Sequence, residues 1–143
     1  MQTLSNKKIL ITGAQGFIGD HLRYALESCG SIIASIDQIH RKTKDNLSFT
    51  GDISNYDFVR KACENFQPEY VIHLAGYKGR TTNLKDFRQA IDANLIGTLN
   101  LIEALSDNPS LKKFVAVGTA EEYGIGNSPF QCSQRETPIS SYS

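Results

Sequence analysis

Residues Ile9-Leu10-Ile11-Thr12 form a short apolar run that leads directly into glycines spaced G-x-x-G-x-x-G, at Gly13, Gly16 and Gly19. Apolar residues then recur at helical spacing through Phe17, Ile18, Leu22, Ala25 and Leu26. The pattern is that of a buried strand turning sharply into an amphipathic helix. Few arrangements accommodate such a junction. The opening N–H groups of the helix have no intrahelical partner, and its dipole leaves partial positive charge there. Glycines let an anion approach that backbone, where a side chain would hold it away. The spacing differs by one residue from the common phosphate-binding pattern G-x-G-x-x-G, so the rest of the chain must separate a ligand site from a tight turn.

The chain has 143 residues, enough for one domain with a real core. Fifteen basic residues balance fifteen acidic ones, and no long basic run marks a nucleic-acid partner. No apolar run is long enough to span a membrane. The first strand begins so soon after Met1 that no signal peptide is expected. Cys29, Cys63 and Cys132 are far apart and odd in number. They match neither a metal site nor a disulfide framework, which implies reduced thiols in a cytoplasmic protein.

Beyond the glycine turn, strands and helices alternate. The first helix is expected to run through about Ser28, with Gly30 closing it. Ser31 to Ile36 is an apolar, β-branched second strand ending at Asp37, about 20 residues past the glycines, where a dinucleotide fold places an acid for the ribose hydroxyls. A carboxylate there repels a 2′-phosphate and favours NAD over NADP; Arg41 and Lys42 just downstream are the competing signal. Leu47 to Thr50 is a short strand, followed by Gly51, Asp52 and Ile53. Ser54 is expected to cap a helix through about Asn65, stopped by Pro68. Tyr70 to Gly76 reads as a strand running into a turn of small residues. Asp86 to about Ser106 is the longest helical pattern, with Phe87, Ile91, Leu95, Leu99, Ile102 and Leu105 on one stripe. Lys113 to Val117 is a further strand, and Ile125 to Ser143 reads as polar loop. Continuous apolar strands between helices predict an α/β fold, a parallel sheet with helices on both faces. Ligands of such sheets lie beyond the carboxyl ends of the strands. Gly13 to Gly19, Asp37, Asp52, Leu74 to Lys78 and Thr119 to Tyr123 all fall there.

Several of these stretches resemble motifs of the extended short-chain dehydrogenase/reductase family, the nucleotide-sugar epimerases and dehydratases. Thr12-Gly13-Ala14-Gln15-Gly16-Phe17-Ile18-Gly19 resembles its T-G-x-x-G-F-I-G turn. Gly51-Asp52-Ile53 resembles G-D-[IL], whose acid meets the adenine. His73-Leu74-Ala75-Gly76 resembles H-x-A-[AG], under the cofactor, and Asn94 to Leu101 resembles N-x-x-G-T-x-N-[LI]. Gly118 to Gly124 resembles S-[ST]-x-x-x-Y-G, and Pro138 to Tyr142 resembles the approach to a Y-x-x-x-K helix. The resemblance covers nearly the whole chain and implies a Rossmann-like, doubly wound parallel sheet that binds NAD, with NADP less favoured. It implies cofactor contacts from Gly13, Gly16, Phe17, Ile18, Gly19, Asp37, Asp52, Ile53, Leu74, Ala75, Gly76, Lys78 and Asn94. It implies no metal.

The implied reaction moves a hydride at a sugar hydroxyl carbon of a nucleotide-sugar substrate. The hydroxyl must lose a proton, and a phenol titrating near pH 10 is a poor base unless a cation favours the phenolate. By the resemblance Tyr142 is that base and Thr119 hydrogen-bonds the same hydroxyl; Tyr123 is a Tyr of the motif but not of Y-x-x-x-K. The lysine of that pattern falls at position 146, past Ser143. The expectation is therefore a cofactor-binding domain over residues 1–143, truncated before the lysine and the substrate domain, which as it stands only binds cofactor. Epimerase, 4-ketoreductase and 4,6-dehydratase remain alternatives. Glu121 matches the dehydratase base, but Ala120 stands where an acid or hydroxyl is needed, and H-x-A-G-x-K with Lys78 is the epimerase form. A non-catalytic dinucleotide-binding regulatory module is the alternative of another class. The helix Asp86 to Ser106 resembles one that pairs across a homodimer, although its stripe could equally face the sheet.

Overall fold

The computed structural model describes residues 4–39, 47–79 and 83–118. Strand β1 (Lys8–Thr12) leads into helix α1 (Phe17–Ser28), followed by β2 (Ile32–Asp37), β3 (Leu47–Thr50), α2 (Tyr56–Phe66) and β4 (Tyr70–His73). A long helix then runs in three pieces: α3 (Leu84–Ala90), a π-helical stretch (Ile91–Ile96) and α4 (Gly97–Leu105). Strand β5 (Lys113–Ala116) comes last among the described residues.

All five strands pair in parallel, in the order β3-β2-β1-β4-β5. This is the doubly wound sheet expected from the alternation. From β1 the chain first builds outward to β3, then crosses to β4 on the other side. The strand order therefore reverses between β1 and β4, and the carboxyl ends part there to leave a crevice. Successive residues of a strand face opposite sides. Leu10, Ala34, Ile36 and Val71 accordingly pack with Val59 and Phe66 of α2 and Leu101 and Leu105 of α4. Ile9, Ile11 and Ile33 pack on the other face with Ala14 of the glycine turn and Leu26 of α1.

Helix ends follow local chemistry. Gly30 takes a φ of +78° after α1; its N–H donates to Glu27 O at 2.9 Å and that of Ser31 to Leu26 O at 3.1 Å, satisfying carbonyls of the last turn. Asn55, rather than the expected Ser54, caps α2, its Oδ1 accepting the Phe58 N–H at 3.1 Å. Ser54 is diverted, because Asp52 Oδ1 accepts both its N–H at 2.9 Å and its hydroxyl at 2.8 Å. The long helix starts two residues earlier than expected: Asn83 caps it, with Oδ1 taking the Asp86 N–H at 2.9 Å. At the amino ends of the strands, away from the crevice, Glu69 binds Lys112 Nζ at 2.6 Å, the Lys8 N–H at 3.2 Å and Lys7 Nζ at 3.5 Å. Those bonds, Lys112 foremost, hold its carboxyl down to about 2.

The apolar stripe of the long helix does not face the sheet. Phe87, Ile91, Leu95, Leu99 and Ile102 are 37 to 54% exposed, and only Leu105 of the stripe is buried. The inward side is Ala90, Gly97, Asn100, Leu101 and Leu105. The cause is close packing at Gly97, where a Cβ would meet Ile53 Cγ2 at 2.5 Å. Asn100 fixes the same rotation, its Nδ2 donating to Ile53 O at 3.0 Å.

Candidate functional site

Backbone hydrogen bonds continue past the strand ends and bind the following segments together. The Gly13 N–H donates to Ile36 O at 2.9 Å, Gly51 to Asp37 O at 2.9 Å, Leu74 to Thr12 O at 3.1 Å and Val117 to His73 O at 3.1 Å. The glycine turn, Asp37, Asp52 and the turn after β4 are thereby drawn to one edge, as their positions at strand ends predict.

Two of the three glycines are demanded by packing. Gly13 has a φ of +68°, and a Cβ there would lie 2.8 Å from Ala75 N and 2.9 Å from Leu74 C. At Gly19 a Cβ would run into Gly13 O and come within 2.6 Å of Ala14 Cα. These contacts seat α1 against β1 and β1 against the turn Leu74–Gly76. Gly16 is different. It is the exposed N-cap of α1, in extended conformation, with no side-chain cap on the helix. The first N–H groups of α1, on Phe17 and Ile18, therefore present a positive, uncrowded edge. Phe17 and Ile18 side chains themselves are 78% and 59% exposed.

Asp37 reaches this turn directly: its Oδ2 accepts the Gln15 N–H at 2.9 Å, while Oδ1 accepts the Ile39 N–H at 3.3 Å. Each carboxylate oxygen offers two lone pairs, so both retain capacity for a diol. Asp52 is exposed and spends Oδ1 on Ser54. Ile53 is buried and supports Gly97 instead of lining an open edge. Asn94, in the π-helical stretch, clamps the turn after β4, with Oδ1 accepting the Tyr77 N–H at 2.7 Å. A Cβ on Gly76 would stand 3.1 Å from that oxygen. Lys78 is exposed next to this clamp. Thr119, Glu121, Tyr123 and Tyr142 lie outside the described residues, as do Arg41 and Lys42. A turn with no room for a side chain at Gly13 or Gly19, a bare helix start and an acid at the neighbouring strand end fit a dinucleotide's pyrophosphate and ribose.

The sequence reading overlooked a buried polar group under the site. His73 is 5% exposed, with Nδ1 at 2.6 Å from Thr12 Oγ1 and Nε2 at 2.9 Å from Thr98 Oγ1. The signal was present as a Thr and a His closing two otherwise apolar strands. The Tyr77 hydroxyl, which donates to Asp86 Oδ1 at 2.8 Å, was likewise missed.

Burial pushes His73 below its ordinary 6.5. The unfolded chain thus takes up the proton first, so this contribution to stability is complete above about pH 6.5 and is lost as pH falls through the lower folded value. Urea unfolding between pH 8 and 5 is expected to show a falling midpoint that flattens in His73→Gln. An identical slope in the variant would assign the loss to other groups.

Known proteins are similar to this chain in sequence and in fold. A sequence model of the NAD dependent epimerase/dehydratase family matches residues 9–143. The UDP-glucose 4-epimerase of Pisum sativum is 33% identical over 136 residues, taking in 84% of this chain and 39% of that protein. The dTDP-D-glucose 4,6-dehydratase of Dictyostelium discoideum is 33% identical over 133 residues, 84% of this chain and 30% of that one. The crystal structure of Thermus thermophilus UDP-glucose 4-epimerase in complex with NAD matches with a TM-score of 0.78 at 26% identity, covering 92% of this chain and 44% of that one. The chain spans less than half the length of the curated relatives it matches. Among the described residues no helix is long and apolar enough to cross a membrane.

Proposed function

The chain belongs to the NAD dependent epimerase/dehydratase family, in the extended short-chain dehydrogenase/reductase group, and from that premise we propose that it binds NAD across the β1–β4 crevice. The observation that carries this is the junction of Asp37 with the glycine turn, through Gln15 N–H at 2.9 Å. The N–H groups opening α1 hold the pyrophosphate, and the Asp37 carboxylate takes the adenosine ribose hydroxyls. Leu74, Ala75, Gly76 and Asn94 support the cofactor from the other side of the crevice. NAD, when bound, supplies hydride acceptance and return.

In the whole protein the substrate is a nucleotide sugar and the reaction is 4-epimerisation or 4-keto reduction. Tyr142 takes the proton of the sugar hydroxyl and Thr119 orients that hydroxyl. The likeness to the Dictyostelium dehydratase, together with Glu121, supports 4,6-dehydration as the second reading; Ala120 beside Glu121 weighs against it. The odd number and wide spacing of Cys29, Cys63 and Cys132, which suit no disulfide framework, support a cytoplasmic setting.

Calorimetric titration of this chain with NAD and NADP tests the proposal. NAD is expected to bind and NADP to bind more weakly, with Asp37→Asn narrowing the difference. Absence of NAD binding would remove the reading. Turnover of UDP- and dTDP-hexoses by the whole protein then separates epimerase, ketoreductase and dehydratase; binding without any turnover would favour a regulatory module.

We also propose a homodimer, paired through the exposed row Leu84, Phe87, Ile91, Leu95, Leu99 and Ile102. Such a row of large apolar side chains marks an interaction face. Sedimentation is expected to give a dimer that Leu95→Glu with Leu99→Glu converts to monomer. A monomer at all concentrations in the parent would count against it.

A further inference from the structure

The contacts of His73 leave one arrangement of protons. Thr98 Oγ1 lies 2.7 Å from Asn94 O, a carbonyl that can only accept, so the single hydroxyl proton of Thr98 goes there. The 2.9 Å contact between Thr98 Oγ1 and His73 Nε2 is then donated by Nε2–H. Nδ1, without a proton in the uncharged ring, accepts the Thr12 hydroxyl at 2.6 Å. Thr12 Oγ1 in turn accepts the Ala75 N–H at 3.1 Å. The chain of bonds therefore runs in one direction, from the Ala75 amide through Thr12, His73 and Thr98 to the carbonyl of Asn94. It joins β1, the turn after β4 and the π-helical stretch. Asn94 is the residue that also grips Tyr77, at 2.7 Å, so both ends of the chain act on the same turn.

We propose that His73 is a positioning residue: with its proton on Nε2 between Thr12 and Thr98, it sets the distance from β1 to the turn Leu74–Gly76 and to Asn94. Its effect on cofactor affinity rests on the reading of that turn as part of the NAD seat. Its effect on the turn does not. In the uncharged ring, with the Thr98 proton on Asn94 O, this is the pattern that satisfies both the carbonyl at one end and the amide at the other. An apolar residue at position 73 would leave the buried Thr12 hydroxyl proton without its acceptor, and an unmet polar group there is costly.

The test uses the chain labelled with 15N. The histidine resonance that disappears in His73→Gln is assigned to His73 among the three histidines, and its ring nitrogens are expected to report the Nε2–H form. Thr98→Val is expected to move the Ala75 amide resonance, on the far side of the ring, and that of Tyr77, held by Asn94, and to weaken NAD binding about five- to tenfold, the effect of one lost hydrogen bond. Thr98→Ser, which keeps the hydroxyl, is expected to restore both. A proton on Nδ1, or Val and Ser variants that behave alike, would overturn the proposal. If the parent takes up no NAD, the cofactor reading fails, and the amide resonances still decide this one: unmoved Ala75 in Thr98→Val overturns it.

Discussion

Gly13→Ala is expected to abolish measurable NAD binding and to destabilise the chain by about 2 to 5 kcal/mol, combining backbone strain with overpacking. Both terms are visible. The φ of +68° is one that an L-residue adopts only with strain, and the new Cβ would press on Ala75 N, Ala75 Cα and Leu74 C at 2.8 to 2.9 Å. Those are backbone atoms of the adjoining turn, so relief requires β1 and the turn after β4 to separate. Gly30→Ala is the control. Its φ is +78°, but the nearest atom to its Cβ would be Ser5 Oγ, a side-chain end, at 3.1 Å. It is expected to carry the strain alone, about 1 to 2 kcal/mol, and to bind NAD as the parent does. Gly16→Ala completes the set. A φ of −73° and a nearest contact of 3.2 Å to Gly13 O leave the fold little changed, while the methyl group occupies the approach to the first amides of α1. Calorimetric binding and urea unfolding of the three variants read the outcome. Gly16→Ala with full NAD affinity would show that the pyrophosphate does not lie on this turn.

Leu101→Ala is expected to destabilise by about 2 to 5 kcal/mol, a large share of the roughly 5 to 15 kcal/mol that holds a domain together. Leu101 has no exposed surface and packs with Leu10, Val59 and Val71 in the core shared by α2, α4 and the sheet. Rigid β-strands on one side and α2 on the other limit how far the cavity can collapse. Leu99, two residues earlier, is 50% exposed, and Leu99→Ala is expected to stay within about 0.5 kcal/mol in the monomer. Urea unfolding at two protein concentrations distinguishes the positions. Loss at Leu101 is independent of concentration, whereas loss at Leu99 grows with concentration if the exposed row pairs. Equal losses at both positions and both concentrations would mean that the helix is rotated from the orientation described.

The two predictions differ in how far the sequence alone reaches them. Gly13, Gly16 and Gly19 are visible as a spaced set after an apolar run, because a tight turn and a close backbone contact leave glycine as the one residue that fits. Which glycine guards the fold and which keeps the approach open is not visible there. That depends on the turn after β4, some 60 residues away, packing against Gly13 and not Gly16. On paper Leu99 stands on the apolar stripe and Leu101 does not, yet Leu101 is the buried one. The helix has apolar residues on two sides, and periodicity reports a stripe without naming what covers it. The choice was made by Gly97 and Asn100, which let the helix settle on Ile53.

The same division holds throughout. Apolar runs alternating with amphipathic helices determined a parallel α/β sheet, and the same alternation put Gly13, Asp37, Asp52 and Gly76 together at its carboxyl edge, since backbone hydrogen bonding and strand polarity are local properties that repeat along the chain. Tertiary structure alone decided that Asn55 rather than Ser54 caps α2, through the Asp52 carboxylate that captures Ser54. It alone decided that the stripe of the long helix is exposed, and that His73 joins Thr12 to Thr98 across 61 and 25 residues of sequence. Burial and hydrogen-bond pairing between distant segments exist only once the strands lie side by side, and no local pattern encodes which partner a buried polar group will meet.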